Sequence, residues 1–227
     1  MYSLPCSVGA LALLIVDIMG QYPPASPPGP EFADQNLYAF GVLIHVRRCD
    51  GTLTFRLETG VISIRMTGRA VVDNLEDALT DVGVLAAYDL YGYTLPVIAD
   101  VARPGKHVGL MALANDPAVQ LYDLSDQARS GVPILFEAAA NAAGIATVRA
   151  ADIARLQCWN PGGNEQAIAI VAAQAIATWR LWLHRHAEKT GNHASRDYAL
   201  GQLEKWLEAN PLPLVDRLGG PLPEPHR

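Results

Sequence analysis

LALLIVDIMG, Leu11 to Gly20, is a short run of Leu, Ile and Val that ends in a carboxylate, Asp17, and a breaker, Gly20. So short and evenly apolar a run reads as a strand buried on both faces, the central strand of an α/β sheet. Ligands of open α/β sheets gather at the carboxyl ends of such strands, which puts Asp17 where chemistry is expected. The plainer reading of Asp17 is a strand-ending side chain that caps the following turn.

Moving outward, QYPPASPPGP, Gln21 to Pro30, is too rich in Pro for helix or central strand and is expected as an extended surface loop. Its PxxP character also suits an aromatic-lined groove on a partner protein. Asn36 to Arg48 carries β-formers and meets Asp50-Gly51, a strong hairpin signal. Strands follow at Thr52 to Leu57 and Val61 to Met66, so an antiparallel meander is expected beside the central strand. The period then changes. Val72, Leu75 and Leu79 are spaced for an amphipathic helix over Val72 to Asp81. Val84 to Tyr88 reads as a strand, Tyr91 to Val101 as a helix, Val119 to Asp123 as a fifth strand. A helix over Val132 to Ala143 is stopped by Gly144. The WNPGGNE stretch, Trp159 to Glu165, lacks the Lys-Ser/Thr of a phosphate loop and reads as a connection. Helices are expected from Asn164 to Ala187 and from Ala194 to Ala209. Residues 1–210 then form one domain, and 211–227 a Pro/Gly-rich tail.

Composition narrows the function classes. Half of the 227 residues are hydrophobic and 18% charged, a globular rather than a disordered balance. The net charge of -6 gives no overall field for nucleic acid, so phosphate contacts need a local patch. Cys6, Cys49 and Cys158 are odd in number and form no CxxC pair, which reads as reduced packing residues in a cytoplasmic protein. No Lys or Arg precedes Arg47, so no secretory signal is expected. No apolar run reads as long enough to span a membrane.

Two segments carry more than a fold class: LAAYDLYGYTLPVIADVA, Leu85 to Ala102, and VAAQAIATWRLWLHR, Val171 to Arg185. The first resembles the second motif of the 3'-5' exonucleases related to the proofreading domain of family-B DNA polymerases. There an aromatic-Asn pair ends a strand, and a Gly-aromatic-Asp-Leu-Pro run opens the next helix. The corresponding residues are Tyr88, Asp89, Gly92, Tyr93, Thr94, Leu95 and Pro96. The second segment resembles the family's third motif, a Tyr followed four residues later by an Asp and then an aromatic-Arg-Leu-aromatic-Leu run. IVDIMG stands where the first motif has Asp-x-Glu, and YDLSDQ, Tyr122 to Gln127, where an Asp-Leu follows the fifth strand. FEAAANAAGI, Phe136 to Ile145, resembles the helix before a Gly-Ile pair. The likeness spans residues 11–187 and implies a ribonuclease H-like mixed five-stranded sheet with flanking helices.

The resemblance also implies a chemistry, and the residues for it are missing. Such exonucleases hold two magnesium or manganese ions with carboxylates, and a Tyr orients the attacking water. Position by position, the first Asp is kept as Asp17. The Glu two residues on is Met19, the helix-opening Asp is Thr94, the last Asp is Gln174, and the Tyr is Ile170. Neutral oxygens do not offset the desolvation of two divalent cations. Asp89 and Asp123 are the carboxylates left to compensate. His184 and His186, two apart on a helix, point apart and make no metal pair.

The expectation is therefore a 3'-5' exonuclease-like domain without catalysis, needing no cofactor, that binds single-stranded nucleic acid or a protein partner. The alternatives are an active two-metal nuclease with rearranged ligands, using magnesium or manganese, and an unrelated α/β interaction protein. For nucleic acid the candidates are Tyr88, Asp89 and Tyr93 with Arg180, Arg185 and Lys189. The plainer readings are core aromatics at a strand-to-helix junction and a solvated basic helix face.

Overall fold

Strand β1 (Ser7–Ile15) pairs antiparallel with β2 (Leu37–Arg47), which pairs antiparallel with β3 (Leu53–Val61). On its other side β1 pairs parallel with β4 (Val84–Ala87), and β4 with β5 (Gln120–Asp123). The order β3-β2-β1-β4-β5 puts β1 in the middle, as its two-faced apolar character requires. This computed structural model describes residues 4–15, 37–62, 68–125, 135–148 and 164–212. Over them the chain is an α/β domain with a five-stranded mixed sheet and six α-helices.

The hairpin signal is met. Gly51 turns at φ 84°, and the Asp50 carboxylate accepts from the Thr52 N–H at 2.9 Å and its hydroxyl at 2.6 Å. The break expected between Leu57 and Val61 does not occur; β3 is one strand of 9 residues. Gly60 allows this, because a side chain there would strike the Phe40 ring on β2.

Helix α1 (Gly68–Leu79) begins a turn before its expected start. After β4 a π-turn (Leu90–Thr94) leads into α2 (Leu95–Val101), where one helix from Tyr91 was expected. Helix α3 (Val108–Ala112) carries no sequence signal. Two carboxylates of α1 hold it in place. Asp73 accepts from Lys106 and from His107 Nε2 (2.8 Å), and Glu76 accepts from the Gly109 N–H (2.8 Å). Lys106 first and His107 second keep the Asp73 carboxyl below its usual range. Helix α4 (Phe136–Ala142) stops at Gly144, φ 70°, as its C-cap role predicts. Residues 132–134 of that expected helix lie outside the described residues.

Helices α5 (Asn164–Thr190) and α6 (His193–Ala209) follow their expected bounds within three residues. Gly191, φ 68°, turns between them, and the Asn192 side chain caps α6 by accepting from the Ser195 N–H at 3.1 Å. Helices α4, α5 and α6 cover one face of the sheet, with Val8, Ala10, Leu43, Trp179 and Trp182 in their core. Helices α1, α2 and α3 cover the other, with Leu11, Phe40, Leu75 and Ile98. Helix α5 lies so close to the sheet that a Cβ on Gly41 would overlap the Val171 carbonyl. Trp179 and Trp182 are wholly buried; truncating aromatics in such positions costs about 3–5 kcal/mol.

Two expectations are corrected here. Residues Glu165–Thr190 are long and apolar enough to cross a membrane by composition, whereas the sequence reading found no such run. Packing accounts for it: 72% of its apolar 18-residue stretch is buried inside the fold, as a core helix demands. Cys6 and Cys49 are free and exposed rather than packed; Cys158 lies outside the described residues.

Candidate functional site

The carboxyl end of β4 is where the sequence places its second motif, and the backbone there is unusual. Asp89 takes the left-handed conformation, φ 51° and ψ 54°, and it alone does so among the described non-glycine residues. Its carbonyl accepts from the Tyr93 N–H at 2.9 Å and the Thr94 N–H at 3.0 Å, closing a wide π-turn. The Asp89 carboxylate lies over Gly92 where a Cβ would stand, which gives that glycine a steric reason. Pro96 follows in the first turn of α2, where its missing N–H costs nothing.

Within this turn the side chains separate by role. Thr94 is 3% exposed, and its hydroxyl donates to the Tyr88 carbonyl at 3.4 Å. That commits the hydroxyl proton to the turn. Tyr88 packs against the α5-side core and meets Phe136 edge to face at 5.3 Å, so the core reading holds for it. Tyr91 and Tyr93 are open to solvent, at 60% and 39% exposure. Asp89 is half-buried.

On α5, Ile170 is fully buried against Leu14, Tyr38, Ala39 and Val61. Gln174, one turn later, is half-buried. The last β1–β4 pair is Leu11 with Ala87. The next β1 residue, Ala12, pairs with Gly41, the point where the α5 backbone crosses β2, and packs in the same core as Tyr88. An alanine therefore occupies the β1 position beside the end of β4 and beneath α5. Asp17 and Met19 lie outside the described residues, as does the Gln21–Pro30 segment.

The basic candidates divide between two sides of α5. Arg180 and Lys189 are nine residues apart, about half a turn out of phase at 3.6 residues per turn. Arg180 is half-buried, and its Nε has no hydrogen-bond partner among the described residues. Burial lowers its pKa, with the charge of Glu204 on α6 opposing. Arg185 and Lys189 instead line a groove beside β5, where the Lys189 ammonium stands 6.0 Å from the Tyr122 ring centroid. On α6, Arg196 is paired with its neighbour Asp197 at 2.7 Å. The basic run is not one continuous face.

His45 belongs to no motif in the sequence, yet it is a distinctive polar residue of the core. It is buried on β2 inside an aromatic box of Phe55, Trp179 and Trp182. Trp179 Nε1 donates to its Nδ1 at 2.8 Å, so the proton of the neutral ring sits on Nε2, 3.5 Å from the Pro5 carbonyl. Burial is the main cause that pushes its pKa down to about 4. The signal was available: His45 lies two residues from buried Leu43, on the same face of a strand.

Among the described residues no three His, Cys, Asp or Glu side chains are grouped to hold a metal ion. Compared with protein families, curated proteins and solved structures, the chain matches none.

Proposed function

We propose that the chain is a ribonuclease H-like domain, similar to the 3'-5' exonucleases related to family-B polymerase proofreading, that binds single-stranded nucleic acid without degrading it. The arrangement agrees with that resemblance: a three-strand antiparallel meander, two further strands parallel to the first, and a long C-terminal helix across the sheet. What carries the reading is the end of β4. Of the positions that correspond to metal and water ligands, Thr94 at this turn is neutral and Ile170 on α5 is apolar. Thr94 turns its proton to the backbone and Ile170 is core, while Tyr91 and Tyr93 stand exposed on the same turn. Exposed aromatics stack on bases without needing a metal.

Labelled single-stranded DNA and RNA, incubated with the purified chain and magnesium or manganese, should stay intact at the 3' end. Fluorescence anisotropy at about 50 and 200 mM salt should show binding that weakens with salt. Removing both exposed rings, Tyr91→Ala and Tyr93→Ala, should cost about 1–3 kcal/mol per stacked base. Robust metal-dependent degradation, abolished by Asp17→Ala, would overturn the reading and make an active nuclease of the chain. Absence of binding at low salt would point to a protein partner instead.

A further inference from the structure

Beside the C-terminal half of α5 a groove of about 650 Å³ opens between that helix, α4 and the end of β5. Its lining on α5 runs from Leu181 to Lys189, about 10 to 22 Å along the helix from Gln174, and its Asp123 pairs in register with Ala87, so it begins beside the end of β4 and runs away from it. Ala139 and Ala142 of α4, with Ala143 just after it, give a low, apolar floor, and Ala142 is exposed. Tyr122 and Asp123 of β5 form one wall, and Arg185 and Lys189, one turn apart on α5, stand on the other. Past Tyr122 and Lys189 the groove meets a recess of about 100 Å³ that Trp182 also lines. The Trp182 Nε1–H is buried with no acceptor among the described residues. A buried donor left so costs about 1–3 kcal/mol, and an acceptor-rich ligand is what this corner lacks.

Charge decides the size of ligand. Arg185 and Lys189 are balanced by Asp123 and Glu188 in the same groove. Burial, aided by Arg196, lowers the His184 pKa, so this histidine is neutral at pH 7. A strand of phosphates would meet two carboxylates and a chain of net charge -6. One phosphate group, by contrast, is small enough to sit between the two cations, and the carboxylates suit hydroxyl or amino donors. The volume suits a small molecule rather than a polymer segment. We propose that this groove binds a single nucleotide, its phosphate between Arg185 and Lys189 and its base on the alanine floor beside Tyr122. The inference does not rest on strand binding at the β4 turn.

Titration calorimetry of the full chain with adenosine 5'-monophosphate should show one-to-one binding. Adenosine and inorganic phosphate, each lacking half of the ligand, should bind about tenfold more weakly or worse. Lys189→Glu reverses a charge and Ala142→Trp fills the floor; each should weaken nucleotide binding by about tenfold or more. Lys205→Glu on α6 should leave it unchanged. Lys189 and Ala142 are both exposed, so the melting temperature should hold in either variant; should one unfold, the other decides. The proposal fails if the nucleotide does not bind at millimolar concentration, if phosphate binds as well alone, or if both variants bind like the parent. It fails equally if a ten-nucleotide DNA displaces the nucleotide, because the groove would then be a strand site.

Discussion

His45 is a histidine that the fold keeps uncharged. Its pKa falls from the ordinary value near 6.5 to about 4, chiefly by burial, with Arg47 and His186 adding and the Pro5 carbonyl opposing. A histidine with a depressed folded pKa is neutral in the native state while the unfolded chain still takes up the proton. Stability is then complete above the unfolded value and falls as pH drops from 6.5 towards 4. The ceiling on that loss is roughly 3 kcal/mol for a shift of this size. Urea midpoints at neutral and mildly acidic pH should therefore decline together with the protonation of this ring. His45→Gln keeps an acceptor for Trp179 and should remove most of the decline. His184 and His186, both lowered mainly by burial, act in the same sense. An unchanged slope in the glutamine variant would show that His45 is not the group responsible.

At the scale of elements, the contact between α5 and β2 is set by the absence of a side chain. Gly41→Ala would drive a Cβ into the Val171 carbonyl, and helix backbone cannot rotate aside as a side chain can. The helix must lift from the sheet over Trp179 and Ile170, so the variant should lose about 2 kcal/mol or more in urea unfolding. Gly51→Ala is the matched control: its φ of 84° is strained for alanine, but the space around it is open. It should cost only about 1 kcal/mol. A smaller loss at Gly41 than at Gly51 would mean that α5 does not seat as described. What could be read from sequence follows the same division. The two-faced strand β1, the Asp-Gly hairpin and the long helices announce themselves through local periodicity and turn chemistry. Helix α3 does not, because Asp73 and Glu76 hold it from thirty residues away, and no local pattern encodes that clamp. The run of β3 through to Val61 was hidden for a related reason. Gly60 reads as a breaker in sequence, and only the ring of Phe40 shows why it continues a strand. Of the site residues, Thr94 and Asp89 were legible as a strand-to-helix junction, whereas which neighbour each basic residue of α5 meets, α6 for Arg180 and β5 for Lys189, needed the packing.

For the whole molecule, the distance in sequence between partners matters as much as their chemistry. His45 and Trp179 are 134 positions apart, and α5 touches β1, β2, β3 and β4, which all precede it in the chain. Among the described residues, the helices that cover Val8, Ala10, Leu43 and Leu53 on that face are short α4 and the two that begin at Asn164 and later. A fragment ending at residue 163 should consequently bind hydrophobic dyes and aggregate, and a peptide of residues 164–212 supplied in trans should restore solubility. A soluble, non-binding fragment would mean that the sheet is stable without its covering helix. The same geometry sets a clock on biosynthesis. As the chain leaves the ribosome, the sheet is finished at Asp123 and its cover only at Thr190, an interval of roughly 3 to 13 s at about 5–20 residues per second. For those seconds the nascent domain presents a bare apolar face to the cell, so its yield depends on chaperone supply and on the speed of translation between those two codons.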